Sequence, residues 1–155
     1  MNSQSTRSLA FIYESWKQED RQLDKCLDTI RNWMQQVNQL GIPHFGETAT
    51  RLRPLKARLF AHFGRENELI LQLVNFYQSS SPDVVALQTE MLTAHDQLLT
   101  RLGDLIDRLS LPEPPFESWT NAMDEVALFV DALEQHEEQE TRSIAMLMPT
   151  ATDDD

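Results

Sequence analysis

Four apolar stripes at helical spacing, set apart by breaks rich in proline, glycine and serine, constrain this chain of 155 residues more than any other feature. Leu9, Trp16, Leu23, Ile30 and Val37 recur every seven residues, with Ile12, Cys26, Leu27 and Trp33 beside them, and predict a helix over about 8–40. Gly41 and Pro43 supply its stop. Leu52, Leu55, Leu59, Leu69 and Leu73 predict a second helix over about 48–77. Pro54 is tolerated near its start and would kink a helix that began much earlier. Val85, Met91, Leu98, Leu102, Leu105 and Leu109 predict a third over about 82–110, with Ser81 as cap, Pro82 at its first position and Asp83 suiting the dipole. The proline-rich run 111–115 interrupts before a fourth, over about 118–148, with Trp119, Val126, Phe129, Leu133, Ile144 and Leu147 facing inward. No segment alternates as a strand would. The expected fold is all-α, an antiparallel up-down-up-down four-helix bundle forming a single domain over 1–155, with its core over about 8–149 and frayed ends at 1–6 and 150–155.

Charge narrows the partners. Twenty-five acidic residues against 13 basic ones give a formal net charge of −12. Nucleic-acid binding needs a basic surface that displaces counterions, and an anionic membrane surface has the same requirement, so the sequence argues against both. No apolar run approaches the ~20 residues that cross a bilayer, and no basic segment followed by an apolar run opens the chain. The single cysteine, Cys26, forms no intramolecular disulfide and no thiolate zinc cluster. These features fit a soluble, cytoplasmic protein.

The polar residues that interrupt the stripes carry the chemistry. On the second helix, Leu55 and Leu59 are followed by His62 and Glu66 before the stripe resumes at Leu69. Four residues apart, His62 and Glu66 lie one turn apart on one face. The fourth helix repeats the arrangement, with His136 and Glu140 between Leu133 and Ile144. On the third helix His95 falls between Met91 and Leu98, and on the first Asp20 falls between Trp16 and Leu23. An inward stripe covers roughly a third of a helix, so three histidine positions landing there by chance is about 1 in 30. Buried imidazoles and carboxylates are costly unless paired, hydrogen-bonded or bound to a metal. All six groups lie near the middle of their helices, where an antiparallel bundle brings them into one layer.

Imidazole and carboxylate donors without thiolate suit iron, manganese or zinc. Glu66 and Glu140 could each bridge two ions. Three nitrogens and up to six carboxylate oxygens leave about three of the roughly twelve positions of two octahedral ions to water, an oxo or hydroxo bridge, or an exogenous ligand such as dioxygen.

The ordered set of motifs resembles the hemerythrin-like, or HHE cation-binding, family. That family's pattern is a histidine on helix one, HxxxE on helix two, a histidine on helix three and HxxxE on helix four. HFGRE supplies His62 and Glu66, AHDQLL supplies His95, and HEEQE supplies His136 and Glu140. The resemblance implies a metal site, with two irons as the expected cofactor and a small diatomic molecule as the ligand. By resemblance, the members bind dioxygen, sense oxygen or iron, or store and detoxify iron and nitric oxide. Asp20 stands where the family's first histidine belongs, and Leu99 where hemerythrins proper carry a further one. The loss of two nitrogen donors argues against reversible oxygen carriage, and Asp20 makes the site harder, favouring ferric iron or manganese.

Other residues have plainer explanations. A shift of one position on the first helix would expose Asp20 and turn Glu19 inward. Glu134, Glu137 and Glu138 around His136 read as a solvated face, His44 after Pro43 as a loop residue, and Trp16, Trp33 and Trp119 as core packing. No substrate pocket or general base stands apart from the ligand set, so the chain reads as a binding or sensing protein rather than an enzyme. The competing function is a protein-interaction module whose metal site is degenerate, empty or mononuclear.

Overall fold

The computed structural model describes residues 3–77 and 82–148, with side chains from residue 8 onward. Four helices follow in order, α1 (Ser3–Leu40), α2 (Phe45–Phe76), α3 (Pro82–Leu109) and α4 (Trp119–Met146), and no strand occurs among the described residues. Each helix packs on its neighbour in sequence, and α1 packs on α4 to close the ring. No helix is long and apolar enough to cross a membrane, among the described residues.

Local chemistry sets the helix ends. α1 stops at Leu40 because Gly41 takes a φ of 68°, a left-handed conformation that glycine adopts without a Cβ clash. α4 starts where the Ser118 side chain accepts a hydrogen bond from the backbone N–H of Asn121. α2 starts three residues earlier than its apolar stripe suggests, with His44 at the cap position. The His44 carbonyl accepts from both the N–H and the hydroxyl of Thr48, while its ring approaches Glu47 at 3.1 Å. Pro54 therefore lies inside α2 rather than in its first turn. α1 begins at Ser3, so the frayed N-terminal stretch expected over 1–6 is helical from there on. The cap assigned to Ser81 and the C-terminal end over 150–155 lie outside the described residues.

The apolar stripes meet in two blocks. The larger joins Leu23–Val37 of α1, Ala49–Phe63 of α2, Leu102–Leu109 of α3 and Ala122–Leu133 of α4. The smaller joins Leu9, Ile12 and Trp16 of α1 with Leu69–Val74 of α2, Val84 and Met91 of α3 and Ile144 of α4. The larger block thus combines the C-terminal halves of α1 and α3 with the N-terminal halves of α2 and α4. Alternating chain direction produces this pairing, as short connections require. One inward assignment fails: Val84, not Val85, fills the core at the start of α3, and Val85 is exposed. The stripe there runs 84, 91, 95, one residue out of phase with the position chosen from sequence.

Candidate metal centre

Between the two apolar blocks lies a polar layer. His62, Glu66, His95, Glu137 and Glu140 are buried there, with Asp20 and His136 half-buried at its edge. All six candidate residues read from the sequence converge on it. They fall into two groups, His95–His136–Glu140 and Asp20–His62–Glu66–Glu137, and within each the potential ligand atoms lie within 4.8 Å of one another.

Glu66, wholly buried on α2, joins the groups. Its Oε2 lies 3.3 Å from His62 Nε2 and its Oε1 lies 3.4 Å from His95 Nε2. His62 Nε2 also faces Glu137 Oε2 at 3.1 Å and Asp20 Oδ1 at 4.0 Å. In the other group, His95 Nε2 lies 2.9 Å from Glu140 Oε2, and His136 Nε2 lies 3.0 Å from Glu140 Oε1. Each histidine therefore presents Nε2 to the layer.

The opposite ring nitrogens explain why. His95 Nδ1–H donates to the Asn67 amide oxygen at 2.7 Å, and His62 Nδ1–H donates to Glu19 Oε2 at 3.3 Å. Such outer partners fix the tautomer and the ring plane of a metal-binding imidazole. Phe63 orients the rings from below, stacking on His95 with centroids 4.0 Å apart and planes 6° from parallel, and meeting His136 edge-on.

Charge is concentrated here. Burial, together with the charges of Glu137 and Glu140, holds the Glu66 carboxyl well above the ordinary carboxylate range. Burial and Glu137 likewise push Asp20 up, against the hydroxyl hydrogen bond it accepts from Thr141. Burial would depress His62, but Glu137 and Glu19 outweigh it and raise the imidazole; at His136 Glu140 does the same. Glu137 moves the other way: burial opposes its charge, yet the hydrogen bonds with His62 and Asp20 draw it down. Protons thus hold the layer together when nothing else does. Even so, Asp20 Oδ1, both Glu66 oxygens, His136 Nε2, Glu137 Oε1 and Glu140 Oε1 are buried without an aligned hydrogen-bond partner among the described residues. Orphaned acceptors in this number demand a partner, and cations satisfy them. Four carboxylates, carrying −4 when ionised, match the charge of two divalent ions, and three imidazole nitrogens complete an oxygen-rich set that suits iron or manganese.

Glu137 corrects the sequence reading, which placed it on a solvated face with Glu134 and Glu138. It is 4% exposed. The buried line of α4 runs Leu133, Glu137, Glu140, Ile144, a 4-3-4 spacing that was legible but hidden within a run of glutamates. Glu19 and Asp20 straddle the stripe of α1, so the layer uses both, one against His62 Nδ1 and the other inside the carboxylate group. Leu99, where hemerythrins proper carry a histidine, packs against the larger apolar block and contributes no donor. His44 stands at the start of α2, away from the layer.

Three openings reach the layer. A groove of about 850 Å³ between α1 and α4 is lined by Asp20 and Glu137 among others. A cavity of about 150 Å³ between α3 and α4 has His136 and Glu140 in its wall alongside Leu87, Met91 and Ala94. A third, about 140 Å³, lies behind His62 with Arg58 in its lining.

Comparison with known proteins gives one match. The model of the hemerythrin HHE cation-binding domain matches residues 11–147, which take in most of α1, all of α2, α3 and α4, and every residue of the layer. No curated protein and no solved structure matches.

Proposed function

Since the chain belongs to the hemerythrin HHE cation-binding family, we propose that its polar layer holds two metal ions, iron in the first place, and presents them to a small diatomic ligand such as dioxygen or nitric oxide. The observation that carries this reading is the division of Glu66, one oxygen toward His62 and the other toward His95, each at the head of its own donor group. His95, His136 and Glu140 would hold one ion, and Asp20, His62 and Glu137 the other, with Glu66 shared. A bound pair of iron ions supplies Lewis acidity and one-electron redox chemistry.

The protein's own residues do the rest. Asn67 and Glu19 keep the imidazole Nε2 atoms aimed inward, and Phe63 holds the ring planes. The two apolar blocks exclude bulk water on either side of the layer. The small cavity beside His136 is partly apolar, and its size admits a diatomic molecule while refusing most metabolites. Zinc or manganese would fit the donors but, for zinc, without redox response.

The competing reading is a protein-interaction module with a mononuclear or empty site. Metal content after growth in iron-supplemented medium separates the two, alongside His62→Ala and His136→Ala. About two irons per chain in the parent, and fewer in each variant, support the dinuclear reading. A metal-free parent, with both variants as stable as it is, overturns that reading in favour of the interaction module.

A further inference from the structure

The groove between α1 and α4 has a chemistry the centre itself does not explain. Asp20, Asp24 and Asp28 recur every four residues along α1 and face Glu134, Glu137 and Glu138 of α4 across the opening. Asp24, Asp28 and Glu138 are exposed and make no ion pair among the described residues. Arg31 is taken up at one side by Asp131 at 3.0 Å and Glu134 at 2.6 Å. At the inner end Glu137, 4% exposed, lines the groove, and its buried Oε1 has no aligned hydrogen-bond partner among the described residues. Its Oε2 meanwhile contacts His62 in the layer. One residue thus lines the groove and contacts the centre.

We propose that this groove is the loading route for divalent cations: Asp24, Asp28 and Glu138 capture a hydrated ion, and Glu137 with Asp20 passes it inward to His62 and Glu66. The inference rests on the metal-binding reading above and adds to it a path and a set of residues. The other openings are less acidic than the groove, which sets Asp20, Asp24, Asp28, Glu134, Glu137 and Glu138 against Arg31 and Arg142. Arg58 offsets Glu19 in the one behind His62, and the small cavity beside His136 carries apolar side chains and a single exposed acid, Glu90. Like charges crowd the groove, where six carboxylates face only Arg31 and Arg142. A divalent ion relieves that repulsion on arrival, and the charged walls raise its local concentration. Separation of an acidic cation route from a partly apolar ligand route lets metal and diatomic molecule reach the centre from different faces.

The test measures loading rather than activity. Metal-free protein is mixed with Co(II) in a stopped-flow instrument, and the d–d absorption reports coordination. The variant Asp24→Asn/Asp28→Asn/Glu138→Gln leaves every residue of the two donor groups in place. It is expected to load at least about tenfold more slowly at low ionic strength, to reach the parent's stoichiometry and spectrum, and to lose the parent's dependence of rate on salt. Asp96→Asn/Asp107→Asn/Glu113→Gln, which removes the same charge elsewhere, is expected to load at the parent rate. Equal rates for the groove variant and the parent overturn the route, as does equal slowing by the distant variant. A lower final stoichiometry or altered spectrum in the groove variant also overturns it, by making those carboxylates ligands. A parent that takes up no cobalt removes both the route and the metal-binding reading, and is recognised because the failure precedes any substitution.

Discussion

The amide oxygen of Asn67 lies 2.7 Å from Nδ1 of His95, a contact between α2 and α3 that leaves Nε2 of the imidazole aimed at Glu140 and Glu66. Loss of such an outer partner lowers metal affinity by about 10- to 100-fold in comparable sites. Asn67→Ala is therefore expected to weaken binding by that factor while leaving helicity unchanged. Competition against a chelator, with circular dichroism as the control, checks it. An affinity equal to the parent's would remove Asn67 from any role in orienting the ring.

Glu66 is the most buried carboxyl among the described residues, and in the metal-free protein burial, Glu137 and Glu140 oppose its ionisation. Glu66→Gln removes that conflict and keeps the shape. Without metal the variant is expected to melt at or above the parent's temperature. With metal it is expected to bind no more than one ion per chain and to lose most of the stabilisation, which for the parent reaches about 2.7 kcal/mol at 100 times the dissociation constant. Calorimetry with and without metal gives both numbers. Two ions retained in the variant would falsify the bridging role.

The pH dependence of the metal-free protein follows from the directions of the shifts. Asp20 and Glu66 hold their protons more tightly folded than unfolded, so stability falls as pH rises above their unfolded values. His62 and His136, also raised, contribute stability that is complete below about pH 6.5 and is lost as pH climbs through their folded values. Glu137, lowered, contributes in the opposite sense, but only as pH drops below its unfolded value. The melting temperature without metal is expected to decline from about pH 5 to pH 8. Metal replaces those protons, so affinity for the ion should rise over the same interval. A flat melting profile contradicts the electrostatic account of the layer.

Asp20 puts a carboxylate where the family pattern has an imidazole. Its negative charge stabilises the more oxidised state of a bound ion, and Asp20→His is expected to raise the reduction potential of bound iron. Spectroelectrochemical titration of the two proteins decides it. Matching potentials would mean that Asp20 does not govern the ion's electronics.

The sequence was most legible where spacing and residue type agreed. His62 and Glu66 break a leucine stripe at positions that demand burial, and the structure buries both. It was least legible where polarity masked phase. Glu137 sits among glutamates, so its inward position could be read only from the 4-3-4 spacing to Leu133, Glu140 and Ile144. Asn67 gave no signal, because an amide beside a charged residue on an amphipathic helix is ordinary; only its distance to His95 reveals its part. On α1 one residue of helical phase separates Glu19 from Asp20, and side-chain reach rather than periodicity decides that both serve the layer.

The two apolar blocks meet the polar layer from opposite ends, and each of the four helices crosses it once. In the metal-free molecule this layer is a seam of polar groups held by protons between two dry halves of unequal size. Regions with fewer buried contacts open first under native conditions, so the half built on Trp16, Leu69, Leu73 and Met91 can exchange its amide hydrogens while the larger half stays protected. Ions at the seam would weld the halves into one cooperative unit. Occupancy of the centre would then be written in amide-exchange rates several turns away, at the ends of helices that touch no ion.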